Sequence, residues 1–109
     1  MAASFASISV TPVEFPRGLF RGYRARYVTF TFAGTYGASQ AELAVTAANC
    51  KLTAITGMTL VSITDGGGTI IGATWDGEHT ALMPIMADGG WPTNDNLADC
   101  AVKMLVIGT

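Results

Sequence analysis

Tyr27-Val28-Thr29-Phe30-Thr31-Phe32-Ala33-Gly34-Thr35-Tyr36 is the stretch on which the fold turns. Val28, Phe30 and Phe32 alternate with Thr29 and Thr31, the period-two pattern of a strand with one buried face. Before it lies a basic, proline-punctuated segment. After it come apolar runs separated by glycine-rich turns, with little positive charge.

Downstream, Lys51 opens a series of strand signals. Leu52–Ile55 is short and ends at Gly57. Met58–Thr64 carries apolar residues on both faces, and Asp65-Gly66-Gly67-Gly68 reads as a flexible turn that brings Thr69–Trp75 back as its partner. Asp76-Gly77 is a two-residue hairpin signal. The return run Glu78–Met86 contains Pro84, which suits an edge or a break. Cys100–Ile107 is apolar at nearly every position, as a central strand is. The alanine-rich stretch 37–49 has the best helical propensity of the chain, yet supports only a brief helical turn near 46–50. Short strands with turn signals every 8–12 residues or so imply an all-β, antiparallel β-sandwich.

Upstream, Ala6, Ile8 and Val10 alternate with Ser7, Ser9 and Thr11, a short strand that Pro12 ends or confines to an edge. Val13 to Arg26 is neither helical nor strictly alternating. It reads as an extended N-terminal arm, anchored by Phe15, Leu19, Phe20 and Tyr23. The expected division is therefore an arm over 1–26, holding one short strand, and a sandwich domain over 27–109.

The chain has 109 residues, half of them apolar and only 13% charged. That composition excludes a disordered chain. It also leaves little charge to cover a small surface, so subunit contacts are expected. Residues 1–30 carry Arg17, Arg21, Arg24 and Arg26 against Glu14 alone, while the remainder is acidic. Arginines interleaved with aromatics suit docking on an acidic partner surface. Phe15, Arg17, Leu19, Phe20, Arg21, Tyr23, Arg24 and Arg26 are the candidate contact residues. Arg24 and Arg26, two apart, would project to one side of an extended chain. Single-stranded nucleic acid competes as a partner through the same arginines and Tyr23 and Tyr27, but the acidic remainder argues against it.

Catalytic chemistry finds no foothold. His79 is the sole histidine and has no ligand-spaced neighbours, so no metal site is expected. No Gly-x-Ser-x-Gly turn marks a nucleophile, and Asp76 and Glu78 read as solvated hairpin residues. Asp65–Thr69 has no lysine and does not open a helix, so it is no phosphate loop. No cofactor is expected. Cys50 and Cys100 read as small buried apolar residues rather than a bridge. No apolar run reaches the ~20 residues of a membrane span, and no secretory leader is recognised.

Thr31-Phe32-Ala33-Gly34-Thr35-Tyr36 followed by Ala41-Glu42-Leu43 resembles the opening of small β-sandwich proteins from tailed-phage structural genes. Leu52–Ile55, the meander through Trp75 and the closing Ala101–Gly108 strand are similar in order and spacing. The resemblance spans residues 27–109; the N-terminal arm departs from it. It implies a jelly-roll-like virion component on the capsid exterior, a capsid decoration (cement) protein or a head-fibre base. It further implies binding to the major capsid protein and to its own copies, often as a trimer, with no enzymatic activity. A carbohydrate- or receptor-binding module is the competing expectation, with Trp75, Trp91 and Tyr36 as aromatic platforms.

Overall fold

A computed structural model describes residues 4–13, 22–33, 43–64, 70–77, 81–86, 97 and 100–109. Six strands appear in chain order: β1 (Ser4–Val13), β2 (Arg24–Ala33), β3 (Ile55–Thr64), β4 (Ile70–Asp76), β5 (Ala81–Met86) and β6 (Ala101–Gly108). They form two antiparallel sheets, one in the order β1-β2-β6-β3 and one of β4 and β5. The chain is thus mostly antiparallel β-structure, as its alternation and turn spacing require.

The opening stretch supplies β2, and its alternation fixes the core face. Val28, Phe30 and Phe32 are buried, while Thr29 and Thr31 between them are only half-buried. β6 lies beside it and buries Val102, Met104 and Val106 on the same face, in register with Phe30, Val28 and Arg26. β6 is central, as its nearly continuous apolar sequence anticipates, because β3 pairs along its other side. From the second sheet, Ile70, Ala73, Ala81, Leu82 and Met83 close the core, with Leu43, Val45 and Leu97. Burying a side chain such as Phe30 stabilises by about 1.5–3 kcal/mol. The core is therefore built mainly by β2, β6 and the β4–β5 pair.

Cys50 and Cys100 are both buried in this core and no disulfide joins them. Cys50 ends a short 3₁₀ helix, Ala47–Cys50, where the helical turn was expected. Thr46 and Asn49 cap it reciprocally. The Asn49 amide donates to Thr46 Oγ1 (3.3 Å), and the Thr46 amide donates to Asn49 Oδ1 (2.9 Å). This is the capping-box exchange, here with asparagine in the acidic partner's place. Lys51 ends the turn in the left-handed conformation, φ 60°.

Three expectations need correction. Met58–Thr64 is not the hairpin partner of the strand after Gly68: β3 pairs with β6, and β4 pairs with β5 in the other sheet. Apolar residues on both faces of β3 gave no preference for a neighbour, and the choice fell to the central strand β6. Leu52–Ile55 and Met58–Thr64 are not separate strands either. β3 begins at Ile55 and passes through Gly57, which pairs with Ile107, while a register shift just before it leaves Thr56 without a partner in the ladder. Third, β5 starts at Ala81, whose partner is Asp76, so four residues rather than two separate the paired ends.

The N-terminal strand is longer than its alternation suggested. β1 pairs with β2 from Ser4↔Ala33 to Val13↔Ala25. Pro12 sits within it, which is tolerated because β1 is an outer strand of its sheet. Phe5 ties it to the core, its ring 5.2 Å from Phe30 and 5.7 Å from Phe32, both tilted.

Candidate functional site

β2 starts at Arg24, so Arg24 and Arg26 stand on a paired strand rather than on a free arm. Positions 24, 26, 28, 30 and 32 share one face of β2 by alternation. The two arginines thus continue the series Val28, Phe30, Phe32 toward the start of β2, Arg26 beside the core residue Val106 and Arg24 beside Gly108 at the sheet's end. Arg24 is exposed and Arg26 half-buried. Arg26 Nη1 donates to the carbonyl of Ala25 at 2.9 Å. Neither guanidinium ion-pairs with a carboxylate among the described residues. Tyr23, directly before them, is 46% exposed. Three of the expected contact residues are therefore brought together at one end of the sheet. Phe15, Arg17, Leu19, Phe20 and Arg21 lie outside the described residues.

A cleft of about 380 Å³ opens nearby, lined by Val45, Thr46, Ala47, Ile55, Thr56, Trp75 and Gly77. Its position relative to the arginines follows from register. Ile55 pairs with Gly108 of β6, and Gly108 pairs with Arg24 of β2. Arg24 and the Ile55 wall are thus two strand spacings apart, roughly 10 Å along the hydrogen-bonding direction. Among the described residues the cleft has no charged lining residue. The capped turn holds Thr46 in place, its Oγ1 donating to Asn49 Oδ1 at 2.9 Å. Trp75, half-buried at the end of β4, supplies the one aromatic wall among the described residues. A side chain at position 77 would begin 3.5 Å from the indole nitrogen, so glycine keeps that edge of the indole open. The cleft can hold a neutral group against an aromatic face, with hydroxyls from Thr46 and Thr56 at its rim.

Trp75 is the only member of the expected aromatic platform that the described residues place. Trp91 and Tyr36 lie outside them, as do His79 and the Asp65–Thr69 loop. Among the described residues no group of three histidine, cysteine or carboxylate side chains could hold a metal ion. No helix of the described chain is long and apolar enough to cross a membrane.

The opposite face of the four-stranded sheet carries a third feature. Tyr27 and Lys103 form a cation–π contact, with Nζ 4.8 Å from the ring centroid. Around them stand Thr11, Thr29, Leu105 and Thr59, in register across all four strands. Lys103 is thereby held over a ring rather than extended into solvent.

No family model matches the chain, and no curated protein or solved structure matches it.

Proposed function

We propose that this protein is a structural virion component, a capsid decoration protein that docks on an acidic surface of the assembled major capsid protein. The reading is carried by Tyr23, Arg24 and Arg26, which gather at the start of β2 with no carboxylate partner among the described residues. Arg24, and the donors of Arg26 beyond the Nη1 that bonds the Ala25 carbonyl, have no carboxylate among the described residues and can form a planar fork to a carboxylate on another molecule. Placing two on a paired strand fixes their spacing before contact, which lowers the entropy lost on docking. The resemblance of residues 27–109 to tailed-phage structural proteins supplies the class of partner. In this reading the four- and two-stranded sheets are the two layers of a jelly-roll-like sandwich, and Phe15, Arg17, Leu19, Phe20 and Arg21 extend the contact. The role is mechanical: many weak contacts repeated over a lattice gain from multivalency.

Co-sedimentation with assembled capsids tests it. Binding to capsids and not to unassembled subunits is expected. Arg24→Gln with Arg26→Gln should weaken it by about 0.2–1 kcal/mol for each exposed ion pair lost and should flatten its salt dependence. Unchanged occupancy and salt dependence would remove these arginines from the contact. The Trp75 cleft favours the competing reading, a carbohydrate-binding module. Saturable glycan binding, abolished by Trp75→Ala in a protein that does not co-sediment with capsids, would establish that reading instead.

A further inference from the structure

We infer that the free edge of β1 pairs with the β1 edge of a second copy about a two-fold axis at Ser9. Among the described residues β1 pairs only with β2, so its other edge offers unpaired backbone groups over a ten-residue strand. Such an edge templates further pairing unless charges, bulges or prolines blunt it. β1 has no charged residue. Its blunting devices sit at its ends: a register break between Phe5 and Ser7, and Pro12. The opposite edge, β3, is broken twice along its length, between Ile55 and Gly57 and between Leu60 and Ser62. β1 is the cleaner edge.

Proline also tells which backbone groups face outward. Pro12 has no N–H, so in an edge strand its nitrogen points away from β2. Outward-facing groups recur at every second residue. Val10 and Ile8 therefore present their N–H and C=O groups at the free edge, while Ser9 faces β2. This leaves the window Ser7-Ile8-Ser9-Val10-Thr11 between the two interruptions, and that window is self-complementary when reversed. Ile8 meets the partner's Val10 and Val10 meets the partner's Ile8, each pair exchanging two N–H to C=O bonds. Ser9 meets its own copy on the axis, and Ser7 meets the partner's Thr11. The aliphatic pairs fall on the core face, where Ile8 and Val10 are only half-buried within one chain. The hydroxyl pairs fall on the exposed face, a cross-strand match of the kind that stabilises sheets. Moving the register by two residues would set Pro12 opposite Ile8 or bring the Phe5–Ser7 irregularity into the pairing, each losing bonds. The four-stranded sheets of the two copies would join into one eight-stranded sheet in a closed dimer, not the trimer that the resemblance implies.

The partner pair Ser9–Ser9 is of the non-hydrogen-bonded kind, with Cα atoms about 4.5 Å apart, within the span of a disulfide. Ser9→Cys is expected to give a reducible dimer on mild oxidation, while Ser7→Cys alone does not crosslink and a mixture of Ser7→Cys and Thr11→Cys does. Val10→Pro deletes an outward donor without touching the β2 ladder, and is expected to give folded monomers by sedimentation. Should that variant not fold, Ser9→Lys decides: it sets two ammonium groups opposite each other on an exposed face and should raise the dissociation constant at least about tenfold. A wild-type protein that sediments as a monomer or trimer at micromolar concentration, or a dimer that Ser9→Cys does not crosslink, overturns the pairing. These measurements use the isolated protein, so they stand apart from capsid docking.

Discussion

Gly108 offers the sharpest test of how the sheet is closed at the end that carries the cleft. It is the last residue of β6 and pairs with Arg24 on one side and Ile55 on the other. A Cβ there would fall on the carbonyl oxygen of Ala54 and stand 3.1 Å from Leu52 Cδ1. That oxygen accepts the Thr109 amide at 3.0 Å, and the Thr109 carbonyl accepts the Thr53 amide at 2.8 Å. Gly108→Ala must push the two backbones apart, because the nearest atoms, the carbonyl oxygen and carbon of Ala54, are backbone and cannot swing aside as the Leu52 methyl can. Losing two hydrogen bonds costs about 1 kcal/mol each. Overpacking against a fixed wall adds about 1–3 kcal/mol. Together these give about 3–5 kcal/mol, a fall in melting temperature of roughly 10 °C or more for a domain of this size. Thermal melts followed by far-UV circular dichroism, with denaturant titration for the free energy, measure it. Gly57→Ala is the control: a Cβ at that β3 glycine meets nothing within 4 Å, and the lost backbone freedom should leave stability unchanged or raised by up to about 1 kcal/mol. Equal, small effects at both positions would refute the close approach of residues 52–54 to 108–109, and with it the Ile55 wall of the cleft.

Two further outcomes follow from the 3₁₀ turn. Burial pushes the Cys50 thiol up to about 11 from its ordinary 9.0. The unfolded chain therefore loses this proton first as pH rises. The contribution is intact below pH 9 and is lost by pH 11, a fall of about 3 kcal/mol at most. Cys50→Ala should flatten the alkaline limb by about 2 kcal/mol in urea titrations from neutral pH to pH 10.5, whereas parallel curves would show that the thiol is not desolvated. Lys51 holds φ 60° at the end of the same turn, a conformation that costs a side chain about 1 kcal/mol relative to glycine. Lys51→Gly should raise stability by up to that amount in the same titrations, and a loss would mean that its side chain has an anchoring contact.

The strands that one face of buried residues defines were legible from the sequence. Val28, Phe30 and Phe32 alternate with threonines, and β2 follows. Val102, Met104 and Val106 sit in so apolar a run that only a central strand could hold it. Pairing was less legible where both faces of a strand are apolar. Met58–Thr64 has no polar face to orient it, and the glycine run after it signals a turn without saying whether the chain returns in the same sheet or enters another. Gly57 read as a terminator because a glycine in a strand either ends it or bulges it, and alternation alone does not separate the two. Arg24 and Arg26 read as arm residues because charge outweighed period. Yet they keep the parity of Val28, Phe30 and Phe32, and that parity was the available sign that β2 starts early. The cleft was legible only through Trp75. Its other walls come from residues 45–47 and 55–56, which are neighbours only after β3 has been laid along β6.

The two proposed contacts are linked by the register of one strand pair. Pro12 lies opposite Arg26, so the arginines adjoin the end of β1 whose middle carries the self-pairing window. A two-fold axis through Ser9 runs perpendicular to the sheet and therefore returns both arginine pairs to the same face. Arg26 stands one strand inward and three residues along from that axis. Counting strand spacing and rise per residue, the two Arg26 backbones would be roughly 25 Å apart. Under the two proposals, a dimer of this shape would meet a capsid lattice at two basic points with a fixed separation. The second contact then forms at a high effective concentration only if acidic groups on the lattice recur at that spacing. Weak single ion pairs would suffice for occupancy on an assembled shell and not on a lone subunit, which cannot present two sites at once. Discrimination between assembled and unassembled capsid protein would thus arise from the geometry of β1 pairing, and the arginines alone would not provide it.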